Sequence, residues 1–254
     1  FYIAINGVQK KQFWYSNQKS IEFDCENEIV HTYKISFFLR EKNGEITSLI
    51  TEKKPNWAVC DGIIETVKLL LNKSSLLLEF GSGFGSKQLA EYCSVQSIEH
   101  DERFVGLFPG VSYIHSPLIE FKPFSEFKET QWYDFSKIEA ELEEHYDLIL
   151  IDGPPAEYGR SGILYHMERL DKSPLWIIDD VLRHNDQLIA NYIALQLSMI
   201  QYRFWNFSIL AKEPIENAIL AKIHDASKAT LLDESNEYIT RYYPSYTIKD
   251  SIQT

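Results

Sequence analysis

Residues 76–102 read LLLEFGSGFGSKQLAEYCSVQSIEHDE. Three leucines run into Glu79 and Phe80, glycines follow at 81, 83 and 85, and a second apolar run closes on Glu99. A short apolar run ended by glycines is a strand entering a tight turn. Gly81, Gly83 and Gly85 let the backbone turn sharply and let a ligand approach without meeting a Cβ. The helix expected from about Ser86 to Tyr92 then aims its free N–H groups at that ligand.

Working outward from this stretch, the grammar is alternating helix and strand. Residues 57–71 have helical spacing, with Ile63, Ile64, Val67, Leu70 and Leu71 on one side. Strands are expected at 76–80, 95–99, 111–115, 146–152 and 174–180, with a short helix after Glu99, a helical segment near FSKIEAELEEH, a helix around Ile163 to Leu170 and a long one from about Asn185. Four of the strands are continuous apolar runs, which suits strands covered on both faces. The runs YRFWNFSIL (202–210) and NAILAKI (217–223) lie too close for a crossover helix, so they are expected to pair antiparallel. The fold class is therefore α/β, a doubly wound, mostly parallel sheet. The tail beyond about Asp225 is polar and is expected to be loosely ordered or docked.

Residues 1–54 read differently. Asn6-Gly7 and Asn43-Gly44 between extended runs are hairpin signals, because a two-residue type I′ turn needs positive φ at both positions. A small β-rich N-terminal extension is expected there, followed by one α/β domain over 55–254. Covering an edge of that domain and pairing with a second copy in a homodimer are both open roles for the extension.

In doubly wound sheets ligands sit beyond the carboxyl ends of the strands. A dinucleotide is one candidate, but its G-x-G-x-x-G fingerprint fails here: the third glycine comes one position early and Ser86 stands in its place. Glu79, two residues before Gly81, repels a pyrophosphate and welcomes a positively charged amino group. Glu99, ending the next strand, can accept both hydroxyls of a ribose. The pair asks for a ribose joined to something cationic, without phosphate, and S-adenosylmethionine meets that demand.

At this point residues 57–223 resemble the class I (Rossmann-like) S-adenosylmethionine-dependent methyltransferases. Glu79-Phe80-Gly81-Ser82-Gly83-Phe84-Gly85 is similar to their E/D-x-G-x-G-x-G loop, Ser97-Ile98-Glu99-His100-Asp101 to their second-strand motif, and Tyr146 to Asp152 to their fourth-strand motif. The antiparallel seventh strand of that family fits the terminal pair. The resemblance implies a sheet of seven strands and donor contacts from Glu79, Gly81, Ser82, Gly83, Gly85, Ser86, Glu99, His100, Ser116 and Asp152. His115 and Ser116 follow the third strand, where such folds meet the adenine edge.

Methyl transfer needs an aligned nucleophile, a proton acceptor for an O–H or N–H group and exclusion of water. The ends of the fourth and fifth strands read IDGPPAEYGR (151–160) and IIDDVLRH (177–184). Asp152, Asp179 and Asp180 therefore converge on strand ends about 5 Å apart. Carboxylate oxygens suit Mg²⁺ or another divalent cation, and the pattern is similar to that of metal-dependent catechol-type O-methyltransferases. It departs from them in Gly153-Pro154-Pro155 and in Asp180, where that family has Asn. The competing reading has Asp179 or Asp180 capping the next helix, with Arg183 paired to one of them. Asp152, Asp180 and His184 are the candidate catalytic residues, His184 because its ordinary pKa lies near neutrality. Tyr158 and Arg160 either line an acceptor pocket or belong to a solvated loop, and Trp132 reads as core or pocket wall.

The 254 residues carry a formal net charge of -12, 44 % hydrophobic and 14 % aromatic residues, an ordinary globular composition. The acidic balance disfavours phosphate backbones. DGPP also lacks the aromatic ring of the D/N-P-P-aromatic motif in nucleic-acid amino-methyltransferases, since Gly153 intervenes and Ala156 stands at the ring position. The expectation is a small-molecule acceptor, methylated at oxygen, with no nucleic-acid or membrane partner. Cys25, Cys60 and Cys93 make neither a disulfide framework nor a metal pair, which points to a reduced, cytoplasmic setting. Two other functions compete: an NAD- or nucleotide-sugar-linked enzyme, disfavoured by Glu79, and a non-catalytic module of the same fold.

Overall fold

The computed structural model describes the backbone at residues 2–5, 8–12, 33–40, 46–53, 58–128, 130–170 and 173–233, and side chains at 58–128, 130–170 and 173–227. The chain divides into two compact units, Phe1–Ala58 and Val59–Thr254.

In the first unit β1 (Tyr2–Ile5), β2 (Val8–Gln12), β3 (Tyr33–Arg40) and β4 (Ile46–Lys53) form an antiparallel sheet in the order β2-β1-β3-β4. Ile5 pairs with Val8, and Arg40 with Ile46. The expected turns at Asn6-Gly7 and Asn43-Gly44, and Cys25, lie outside the described residues.

The second unit runs α1 (Asp61–Leu70), β5 (Leu76–Phe80), α2 (Phe84–Leu89), β6 (Ser94–Glu99), β7 (Val111–His115), β8 (Leu118–Glu120), β9 (Gln131–Tyr133), α3 (Phe135–Ile138), β10 (Leu148–Ile151), β11 (Leu175–Ile178), α4 (His184–Gln196), β12 (Ile200–Arg203), β13 (Ser208–Ala211) and α5 (Asn217–Asp233). Seven of these strands make one sheet in the order β12-β13-β11-β10-β5-β6-β7. It is parallel throughout except for β13, which is antiparallel to both β11 and β12. Counted along the chain, the order is third, second, first, fourth, fifth, seventh, sixth.

Both faces of the sheet are covered, as the continuous apolar runs require. Alternate residues of β5 show this: Leu77 joins Ile63, Val67 and Ile223 on the α1–α5 side, while Leu78 and Phe80 join Trp132, Tyr133, Ile149 and Trp176 on the other. Burying one such leucine side chain is worth about 1.5–3 kcal/mol.

Several elements differ from the sequence reading. The run 202–210 is not one strand: it breaks at Phe204-Trp205-Asn206-Phe207, where Phe204 N donates to Phe207 O at 2.9 Å and the two phenyl rings stack at 4.8 Å. The antiparallel pair is therefore β12 with β13. NAILAKI is not a strand but the start of α5, because Ile223 and Ser227 bury one stripe four residues apart while Ala221 and Lys222 stay exposed. The expected helix at 163–170 is two 3₁₀ turns, Ser161–Tyr165 and Met167–Leu170. The short helix after Glu99 is a chain of turns, and the polar segment 116–145 contains the β8–β9 pair that the sequence reading did not foresee.

Candidate active site

Register builds the site. Phe80 pairs with Ile98 on one side and Ile151 on the other, and Ile151 pairs with Ile178. The next residue of each strand therefore falls into one row across the carboxyl tips: His115, Glu99, Gly81, Asp152, Asp179. Backbone bonds carry the ladder into that row, with Gly81 N donating to Ile98 O at 2.9 Å, Asp152 N to Phe80 O at 3.1 Å and Asp179 N to Ile151 O at 3.1 Å. Gly81 has φ +87°, a left-handed conformation that excludes a Cβ at low cost. Space excludes it too, since a Cβ on Gly81 would stand 2.6 Å from Gly153 Cα.

Glu79 lies one pleat below Gly81, on the α2 side, and is only 1 % exposed. Its Oε2 accepts from Ser86 Oγ at 2.7 Å, and Ser86 Oγ in turn accepts from Gly83 N at 2.9 Å. Glu79 thus braces the glycine turn from beneath. Burial is the main cause that pushes its pKa up, to about 8, against the lowering effect of Ser86; the nearby charges of Asp152 and Glu99 push the same way. The groups acting most strongly on Glu79 are hydroxyls and acids, and none is a cation.

Glu99 is buried, yet its pKa is held below the ordinary value. Burial alone would raise it, and the hydrogen bonds outweigh burial. Oε2 accepts from Ser82 N at 2.7 Å and Ser82 Oγ at 2.9 Å, while Oε1 accepts from His100 N at 2.7 Å and Asp101 N at 2.8 Å, with His100 Nδ1 2.8 Å away. Its lone pairs are therefore filled by the glycine turn and by its own strand end. Of the other expected contacts, Gly83 and Gly85 lie in the turn and the first turn of α2, and a Cβ on Gly85 would meet Val59 at 2.8 Å. Ser116 is fully buried with its hydroxyl donating to Asp134 O at 3.1 Å, and His115 is exposed beside His100 O at 3.1 Å.

The acidic cluster forms as the strand ends require: oxygens of Asp152, Asp179 and Asp180 lie within 4.8 Å of one another. A positive charge already sits among them. Arg160, 4 % exposed, places Nη2 3.3 Å from Asp152 Oδ1 and 3.0 Å from Asp180 Oδ2, and Nη1 3.6 Å from Asp186 Oδ1. It also donates to the carbonyls of Asp152, Asp179 and Pro154. Burial opposes its charge, but Asp186, Asp152 and Asp179 outweigh burial and hold the proton more firmly than usual. Asp179 is pushed well above the ordinary carboxyl range, first by burial and then by Asp152. The donor set therefore does not fit Mg²⁺: a divalent ion would share its ligands with a buried guanidinium.

Arg183 pairs with Asp180 and places Nε 3.1 Å from Asp186 Oδ2, and Asn206 Nδ2 reaches Asp180 Oδ1 at 3.3 Å. Asp180, at φ +59°, is thus committed to structural partners. His184 opens α4 as an exposed residue. The sequence reading has Arg160 either lining an acceptor pocket or in a solvated loop; the signal available was an arginine in the loop after Asp152, in a chain with two further acids at the next strand end. Tyr133, buried at the tips beside His100 at 6.2 Å between rings, carried no signal.

No protein-family model and no curated protein matches the chain. Solved structures match in shape. A protein of Streptococcus mutans provisionally described as a methyltransferase, with SAH bound, is 13 % identical over 59 % of this chain and 94 % of its own, at TM-score 0.38. A Pyrococcus horikoshii protein provisionally described as an RNA methyltransferase is 9 % identical over 59 % and 81 %, at TM-score 0.36. A Streptococcus pneumoniae protein provisionally described as a tRNA (m1A22) methyltransferase, in complex with S-adenosyl-L-methionine, is 14 % identical over 77 % and 97 %, at TM-score 0.36. Likenesses of this size concern the fold alone, and the fold stands here on the strand order itself.

These matches correct one expectation. The sequence reading excludes a nucleic-acid partner from the acidic net charge and from the missing ring after Asp152-Gly153-Pro154-Pro155, while two of these proteins carry RNA or tRNA in their descriptions. Net charge is an average over the whole chain and does not decide what one local surface holds, so the exclusion is withdrawn. Among the described residues no helix is long and apolar enough to cross a membrane. The seven-stranded order with its single antiparallel strand, the glycine turn after the first strand and the acid ending the second give this chain the class I, Rossmann-like methyltransferase fold.

Proposed function

We propose that the chain is an S-adenosylmethionine-dependent methyltransferase. One observation carries the reading: Glu79 is a buried acid at the strand tips with no cationic partner among the described residues, whereas the acids of the neighbouring cluster have Arg160 and Arg183. A ligand bringing an ammonium or sulfonium group supplies the missing charge; a dinucleotide brings pyrophosphate instead.

In this reading the turn at Gly81, Gly83 and Gly85 would hold the donor, Glu99 would accept its ribose hydroxyls in place of the Ser82 hydroxyl, and Asp152 and Glu79 would meet its cationic end. His100 closes the ribose side. In the transfer itself a lone pair of the acceptor forms a bond to the methyl carbon as the carbon–sulfur bond breaks, leaving a neutral thioether. An acceptor O–H or N–H must also lose its proton, and we assign that proton to Asp152. It is 25 % exposed and ends the fourth strand, whereas Asp180 is held by three partners and His184 points outward on α4. Arg160 Nη2, 3.3 Å from Asp152 Oδ1, holds the Asp152 carboxylate in place. No step runs through a metal.

The acceptor is read as a hydroxyl-bearing small molecule, the expectation from the sequence, and RNA is tested beside it. S-adenosylmethionine and S-adenosylhomocysteine are expected to raise the melting temperature with concentration, and NAD is not. Methyl-labelled donor is then offered with total RNA and with a panel of hydroxylated small molecules. Label entering either class supports the reading and names the class; a chain whose melting temperature ignores both nucleosides defeats it.

A further inference from the structure

The Tyr133 hydroxyl is a buried polar group without a hydrogen-bond partner among the described residues. The residue is 1 % exposed, and its ring is fixed by Trp132 at 5.0 Å and Phe80 at 5.8 Å between centroids. Leaving such a hydroxyl unpaired is unfavourable, and phenylalanine would fill the same space without that cost. The direction of the hydroxyl is informative: a Cβ built on Gly153 would lie 2.6 Å from Tyr133 Oη and 2.6 Å from Gly81 Cα. The hydroxyl therefore ends where the tips of β5 and β10 meet. Burial, and then Glu99, Asp152 and Glu79, push its pKa well up against the lowering effect of Arg160, so it stays an O–H donor at physiological pH.

Resting on the methyl-donor reading, we propose that Tyr133 is a donor-binding residue whose hydroxyl donates a hydrogen bond to the carboxylate of the amino-acid end of S-adenosylmethionine. The chemistry of the pocket selects this group. Acceptors for the ligand's ammonium are plentiful at the tips, in Asp152, Glu79 and the strand-end carbonyls. A carboxylate there needs hydrogen-bond donors, and the Tyr133 hydroxyl, protonated and without a partner among the described residues, supplies one near the Arg160 charge. The segment between the third and fourth strands would then read the amino-acid end of the donor, while Glu99 reads the ribose.

The test compares the wild-type chain with Tyr133→Phe by calorimetric titration of two ligands. One is S-adenosylhomocysteine; the other is 5′-methylthioadenosine, which keeps the adenosine and the sulfur but lacks the amino-acid end. Expected for the variant are an S-adenosylhomocysteine Kd raised about ten-fold, the size of one hydrogen bond to a charged group, an unchanged 5′-methylthioadenosine Kd, and a ligand-free melting temperature equal to or above the wild type. Unchanged affinity for both ligands overturns the assignment, and so does an equal loss for both or a lowered melting temperature, either of which marks a structural role. A wild-type chain that binds neither ligand defeats the methyl-donor reading itself, and this assignment with it.

Discussion

At the scale of single residues the account turns on protons and charges. Glu79 has a folded pKa near 8 against an ordinary carboxyl in the unfolded chain. The folded state thus holds its proton more tightly, and the stability this contributes is complete below the ordinary value near 4.5 and is lost as pH rises toward 8. Glu79→Gln should remove that slope: measured by urea unfolding, the variant should gain on the wild type between pH 5 and pH 8. Binding a cationic ligand reverses the preference for the neutral form, so S-adenosylmethionine should release a proton from the wild type at pH 7 and less from Glu79→Gln, read from calorimetry in buffers of different ionisation enthalpy. Arg160 makes a separate prediction. Arg160→Ala leaves Asp152, Asp180 and Asp186 without their shared cation and should cost about 3–5 kcal/mol in unfolding free energy. Because that guanidinium takes the place the sequence reading gave to Mg²⁺, exhaustive chelation should change neither ligand binding nor methyl transfer.

At the scale of elements the sequence was legible where residues repeat a simple period. LLLEF, LILI and LWII are strands because unbroken apolar runs fit positions covered on both faces. The glycine turn was legible because Gly81 needs positive φ and close approach together. NAILAKI was not legible in this way: seven residues fit periods of two and of nearly four equally well, and only packing against α1 decides for the helix. The choice is testable, since Ile223→Asp should unfold or strongly destabilise the chain while Ala221→Asp should stay within about 0.5 kcal/mol of wild type by thermal unfolding. A strand alternating at period two would make those neighbours-but-one equally sensitive. Asp180 was half legible. Its partner Arg183 was foreseen, but Arg160 and Asn206 come from distant segments brought together only by the tertiary fold.

At the scale of the whole molecule the strand order sets the row of candidate residues at the carboxyl tips. Aligned parallel strands bring Glu99, Gly81, Asp152 and Asp179 into one row, and strand order reverses between the first and fourth strands, where sheets of this kind bind ligands. Composition reached less far. It excluded neither class of acceptor, because recognition is local while a net charge of -12 is summed over the chain. Glu99→Ala should raise the S-adenosylhomocysteine Kd about ten- to a hundred-fold, since a charged acceptor for two hydroxyls is lost. The most direct test of the central claim is a pair of calorimetric titrations at pH 7, S-adenosylmethionine in one and NAD in the other. We predict saturable binding of one S-adenosylmethionine per chain and no binding of NAD. Saturation by NAD, with no heat from S-adenosylmethionine, would contradict a pocket that welcomes a cationic nucleoside beside Glu79.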